Sequence, residues 1–103
     1  MALPILTAEQ RTEALAAAAA ARTRRAECKV SLKRGALRLS EFLELAKEDE
    51  ALAKMRVIDM LQALPRVGVT TARVLLQEVG ISESRRVRGL GTHQRAELVR
   101  RFG

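Results

Sequence analysis

The stretch Ala8–Lys33 limits this chain more than any other feature. It holds no proline and no glycine, and between Leu15 and Val30 it has no large apolar side chain except Cys28. Ahead of it, Thr7 and Gln10 have the Thr-x-x-Gln spacing of a capping box, in which side chains satisfy free backbone amides at a helix start. Beyond it, Gly35 suits a C-terminal cap. A helix of about 26 residues at ~1.5 Å each forms a rod of roughly 39 Å. With so little to bury along its middle, such a helix cannot lie wholly in a core. The expected arrangement is a basic helical arm, residues 1–38, docked at one or both ends on a unit formed by residues 39–103, the two making one structural unit.

The second part must be helical as well. Apolar residues make up 48% of the chain, but 17 of its residues are Ala and its only aromatics are Phe42 and Phe102. Sheets draw on β-branched and aromatic side chains, whereas Ala and Leu favour helices. Large apolar residues gather from residue 39 onward, 23 against eight before it. Ser40 is a natural N-cap for a helix carrying Phe42, Leu43, Leu45 and Ala46, and Ala51–Lys54 fits one further turn. Met55–Leu64 has core-facing spacing at Val57, Ile58, Leu61 and Leu64, and Pro65 ends it. Val69–Val79 repeats that spacing, with Gly80 as its cap. A basic loop, Ser82–Gly91, leads to a last helix with Thr92 as N-cap and Leu98, Val99 and Phe102 to bury. The expected fold class is all-α.

Charge narrows the partner. The chain carries a net +7, and Arg outnumbers Lys fifteen to four. Residues 1–38 hold eight basic and three acidic groups, residues 39–64 three and six, and residues 65–103 again eight and three. Two basic regions flanking an acidic one point to a polyanion, and the planar fork of Arg suits phosphate. At ~100° per residue, Arg11, Arg22, Arg25, Lys29 and Lys33 share a sector roughly 80° wide, with Glu9, Glu13 and Glu27 on the far side. A solvated helix with i,i+4 pairs would also sort charges. Segregation by sign favours a phosphate-facing stripe, which Arg24 and Arg34 interrupt.

Two motifs carry the chemistry. In Leu64-Pro65-Arg66-Val67-Gly68-Val69-Thr70-Thr71-Ala72, two amphipathic helices meet at a short turn. Gly68 is expected to supply a positive φ and a bare backbone. The amides that follow it, at a helix start, can hold a phosphate without side-chain help. Ala72 allows close helix packing. The pattern resembles the helix–hairpin–helix element, usually Pro-Gly-Val-Gly, with Arg66 at the first glycine. An ordinary helical hairpin is the plainer reading, and the surrounding basic groups tip it towards DNA. The second motif, Ser84-Arg85-Arg86-Val87-Arg88-Gly89-Leu90-Gly91, places three arginines within four residues. Val87 can anchor inward while Arg85, Arg86 and Arg88 face phosphates or a narrow minor groove. Gly89 and Gly91 would let the backbone approach another surface closely.

MALP at residues 1–4, LT-x-EQR at 6–11, the Ala-rich basic helix, KM-x-V…ALPxVG at 54–68 and SRRVRGLG at 84–91 with a terminal RFG together resemble the actinobacterial, mycobacterial-type integration host factors. The resemblance runs over the whole chain. It implies a helix-two-turn-helix fold, shared in outline with a ribosomal small-subunit protein. It also implies a nucleoid-associated role: binding double-stranded DNA with weak sequence preference, bending or compacting it, and assisting a phage integrase. Carried over, the contacts are Arg66, Val67, Gly68, Val69 and Thr70 of the hairpin, and Arg85, Arg86 and Arg88 of the loop, with Ser84, Gly89 and Gly91 of the same loop as further candidates. Arg22, Arg25, Lys29 and Lys33 of the arm join them from the charge pattern above. The family typically has a cation after the hairpin glycine, where this chain has Val69, so Arg66 or Arg73 is expected to compensate.

Other readings have less behind them. His93 has no metal-binding or catalytic partner in view, and Asp59, between Ile58 and Met60, reads as surface. Cys28 lies in a basic stretch that would acidify its thiol, yet no base accompanies it. No enzyme, cofactor or metal is expected. Ala16–Ala21 is too weakly apolar for a membrane, and no signal-peptide pattern opens the chain, so a monomer in the cytoplasm and its nucleoid is expected. An RNA- or ribosome-bound protein is the alternative, since amides and arginines also suit an RNA backbone. RNA readers often stack bases on aromatics, which this chain lacks.

Overall fold

Thr7 and Gln10 form the expected box. Thr7 Oγ1 accepts from the Gln10 amide at 3.1 Å, and Gln10 Oε1 accepts from the Thr7 amide at 2.9 Å. The computed structural model describes residues 7–103, so the MALP text lies outside it. The helix started here, α1, spans Ala8–Lys33, and Gly35 follows it with φ 74°. Every residue from Thr7 to Ala20 is exposed. The arm is therefore docked at one end, where Cys28 and Leu32 enter the core and Arg24 Nε meets Asp49 Oδ2 at 2.8 Å.

The rest is α2 (Leu39–Ala46), α3 (Glu50–Ala53), α4 (Val57–Gln62), α5 (Val69–Val79), a single 3₁₀ turn (Val87–Gly89) and α6 (Thr92–Phe102). Among the described residues there is no strand, only an isolated antiparallel bridge between Arg56 and Arg86. Phe42 sits fully buried with Leu32, Leu52, Met60, Leu61, Leu76 and Leu98, so every α-helix gives the centre a large side chain. Leu76 and a fully enclosed Ala72 bring α5 in closely.

Three expected boundaries differ, each for a physical reason. Ser40 is not an N-cap: Glu41 reaches back to the Arg38 amide at 2.9 Å, so α2 starts at Leu39. Ser40 instead donates from Oγ to the Gly103 carbonyl at 3.0 Å. Thr92 is likewise inside α6, because Gln94 Oε1 accepts from the Gly91 amide at 2.9 Å. The helix expected over Met55–Leu64 is shorter. Val57 donates to the Arg85 carbonyl and Val87 to the Met55 carbonyl, both at 2.9 Å, which holds Arg56 extended ahead of the helix.

Candidate nucleic-acid interface

The hairpin between α4 and α5 is built differently from its expected form. Gly68 has φ −92° and ψ −175°, ordinary extended backbone. The left-handed residue is Arg66, at φ 65°, the one non-glycine with positive φ among the described residues. Its cause lies in the turn: Val67 donates to the Leu64 carbonyl at 3.3 Å, closing a four-residue turn with Pro65 second and Arg66 third. Proline second and positive φ third is the pattern of a type II turn, whose third position favours glycine. Val67, 7% exposed, anchors the turn to the core.

Gly68 acts instead as the N-cap of α5, and it brings no side chain to cap with. Thr7 and Gln10 cap α1, and Asp49 accepts from the Ala51 amide of α3 at 3.1 Å. Glu41 and Gln94 reach back to the N-cap amides of α2 and α6. The first amide of α4 is taken by Arg85. The start of α5 has no side-chain cap, and Gly68, Val69, Thr70 and Thr71 are all exposed. Unsatisfied amides at the positive end of a helix dipole donate to an anionic oxygen.

The arginine loop has the expected inside and outside. Val87 is fully buried, while Ser84, Arg86, Arg88, Gly89 and Gly91 are exposed. Arg85 curls back, donating from Nη1 to the Gly89 carbonyl at 2.7 Å. A Cβ on Gly89 would lie 2.9 Å from Arg85 Cδ, so the close approach this glycine permits is internal. Arg86 donates from Nη1 to the Lys54 carbonyl at 2.7 Å, which fixes its guanidinium at the mouth of the loop.

On the arm, Arg22 and Lys29 are exposed and Arg25 is half-buried. Lys33 has a structural partner: Nζ donates to the carbonyls of Gln62 and Leu64, each at 2.9 Å. A cation at the end of α4 satisfies carbonyls the helix leaves free. Arg73 faces Glu83 at 3.3 Å, which leaves Arg66 as the cation in the hairpin turn itself. Arg24, which breaks the stripe, is held by Asp49, and that hydrogen bond keeps the Asp49 carboxyl below its usual range. The Cys28 thiol is not acidified. Burial pushes its pKa up and outweighs the opposing charge of Arg24. Among the described residues, no three His, Cys, Asp or Glu side chains gather where they could hold a metal ion, and no helix is long and apolar enough to cross a membrane.

Two cations escaped the sequence reading. Lys54 and Arg56 line one cleft with Arg25, Lys29 and Arg86. Nothing local marks them, because they lie in the acidic third of the chain and reach the other basic groups only through the fold.

Residues 32–102 match the family model described as "S13-like H2TH domain". The integration host factor of Mycobacterium tuberculosis is 52% identical over 103 residues, covering 100% of this chain and 98% of the relative. That of Streptomyces coelicolor is 50% identical, covering 100% of this chain and 96% of the relative. A solved structure described as "sIHF bound to an 8bp palindromic DNA" superposes with a TM-score of 0.81 at 48% identity, covering 84% of this chain and 97% of the other.

Proposed function

The chain belongs to the actinobacterial integration host factor family, and on that premise we propose that it is a nucleoid-associated protein that binds double-stranded DNA through the sugar–phosphate backbone. The observation that carries this reading is the bare start of α5 beside Arg66. Backbone amides cannot read bases, so a duplex held there is held with little regard to sequence. Arg86 and Arg88 stand outward from the anchored loop, where a narrow minor groove concentrates negative potential. Contacts at the hairpin, the loop and the arm together give a surface along which DNA bends or compacts, the service a phage integrase needs. The protein works as a non-catalytic monomer in the nucleoid.

Val69→Pro tests the amide site directly. Proline is well tolerated at the first helical position, and the extended backbone of Gly68 is what a residue before proline requires. The substitution deletes one donor and leaves the helix in place. A hydrogen bond to a charged group contributes about 1.5–3 kcal/mol, so duplex affinity should fall at least about tenfold. Circular dichroism should be unchanged. Wild-type affinity in this variant would remove the hairpin amides from the site.

The S13-like family match supports a second reading, an RNA backbone on the same amides and arginines. Phe42 is buried in the core, which leaves Phe102 as the aromatic with any exposure, and base stacking has little to work with.

A further inference from the structure

We infer that the cleft between α1, the α3–α4 turn and the arginine loop is a phosphate-binding site in its own right, built by Lys54 and Arg56 with Arg25, Lys29 and Arg86. The ligand is a phosphodiester of the same duplex that the hairpin holds, so the inference rests on the proposed function. The cleft has a volume of about 380 Å³ and is lined by those five cations, Met55 and a single carboxylate, Asp59.

The placement of charge carries the inference. Arg56 and Arg86 are directly opposite in the antiparallel bridge, so their side chains leave on one face. Like charges at such a pair are destabilising. Arg25 and Lys29, one turn apart on α1, repel in the same way. Both pairs converge on the same space. Among the described residues, no carboxylate lies within 4.0 Å of Arg25, Lys29, Arg56 or Arg86, whereas Arg24, Lys47, Arg73, Arg100 and Arg101 all have one. Lys54 keeps a surface pair with Glu50 at 2.9 Å. Other cations, Arg66 and Arg88 among them, also lack a carboxylate at that distance, but these four face one cleft together. An anion between them relieves both repulsions. The hydrogen bond from Arg86 to the Lys54 carbonyl holds one guanidinium ready, with its remaining donors free for oxygens.

One duplex can reach both sites. Lys29 also lines the groove between α1 and α4 that runs towards Lys33, and Lys33 touches the hairpin. From Lys33 back to Arg25 is eight residues, about 12 Å along the helix. That matches the width of the B-DNA major groove, about 12 Å.

The test is the double variant Lys54→Gln with Arg56→Gln, set against Arg38→Gln with Lys47→Gln, which removes the same charge away from the cleft. Duplex affinity is measured across a range of salt for both and for the wild type. The cleft variant should lose about 0.9 from the log–log salt slope, and its affinity at about 50 mM salt should fall on the order of tenfold. The control should keep the wild-type slope. A cleft variant with the wild-type slope, or a control that loses as much, overturns the site while the functional reading stands. A wild type with no affinity for duplex overturns both. Should the double variant melt early, Lys29→Gln, exposed on α1, carries the same expectation singly.

Discussion

Arg66→Gly should make the protein more stable and a poorer DNA binder at once. Arg66 holds φ 65°, and its side chain has no hydrogen-bond partner among the described residues that would reward the conformation. A left-handed backbone costs an ordinary L-residue about 1–2 kcal/mol. Glycine escapes that cost but loses more freedom on folding, a penalty of roughly 0.5–1 kcal/mol. The difference leaves a net gain of about 0.5–1 kcal/mol, which in a domain of this size raises the melting midpoint by about 2–8 °C. The same change removes the cation beside the amides of α5. If that cation neutralises one phosphate, the salt slope shrinks by about 0.9 and affinity at low salt drops on the order of tenfold. Thermal melts and fluorescence titrations of wild type, Arg66→Gly and Arg66→Ala separate the two effects. Alanine keeps the strained backbone and loses the charge, so it should bind as weakly as glycine without the gain in stability. A glycine variant that melts at or below the wild type would refute the strain. One that binds as tightly as the wild type would take Arg66 out of the interface.

Two further outcomes follow from named contacts. Lys33→Ala frees the Gln62 and Leu64 carbonyls to water and unties α1 from the end of α4, so the urea midpoint should correspond to a loss of about 0.5–1.5 kcal/mol; an unchanged midpoint would mean the cap contributes nothing. Hydrogen bonds from Arg100 and Arg101 hold the Glu97 carboxyl at about 2, below its ordinary 4.5. A carboxyl whose folded value is depressed stabilises the fold above its unfolded value, and that share is lost as pH falls from 4.5 through about 2. Wild type should therefore lose its advantage over Glu97→Gln within that window, and identical melting–pH curves for the two would contradict the pairing.

What the sequence made legible was whatever a few neighbouring residues decide. The box at Thr7 and Gln10, the left-handed Gly80 that ends α5, the buried Val87 between two outward arginines and the enclosed Ala72 all follow from local spacing. Some of the differences have long-range causes. Met55 and Arg56 leave the helix pattern because residues some 30 positions later bond to the Met55 carbonyl and the Val57 amide. Ser40 is claimed by Gly103. At the hairpin the glycine rule pointed to Gly68, but turn closure between Leu64 and Val67 puts the demand on Arg66. The charge stripe on α1 was legible as a direction. That Lys33 would be taken up as a cap, and that Arg25 and Lys29 would face Arg56 and Arg86, required the fold.

The most direct test of DNA-backbone binding is one titration series: purified protein against a duplex, its separate single strand and a structured RNA, each across several salt concentrations. The account predicts tightest binding to the duplex, little change between unrelated duplex sequences, and a linear log–log slope of about −0.9 for each phosphate neutralised, steep enough to mean several. Equal or tighter binding to the structured RNA would contradict it.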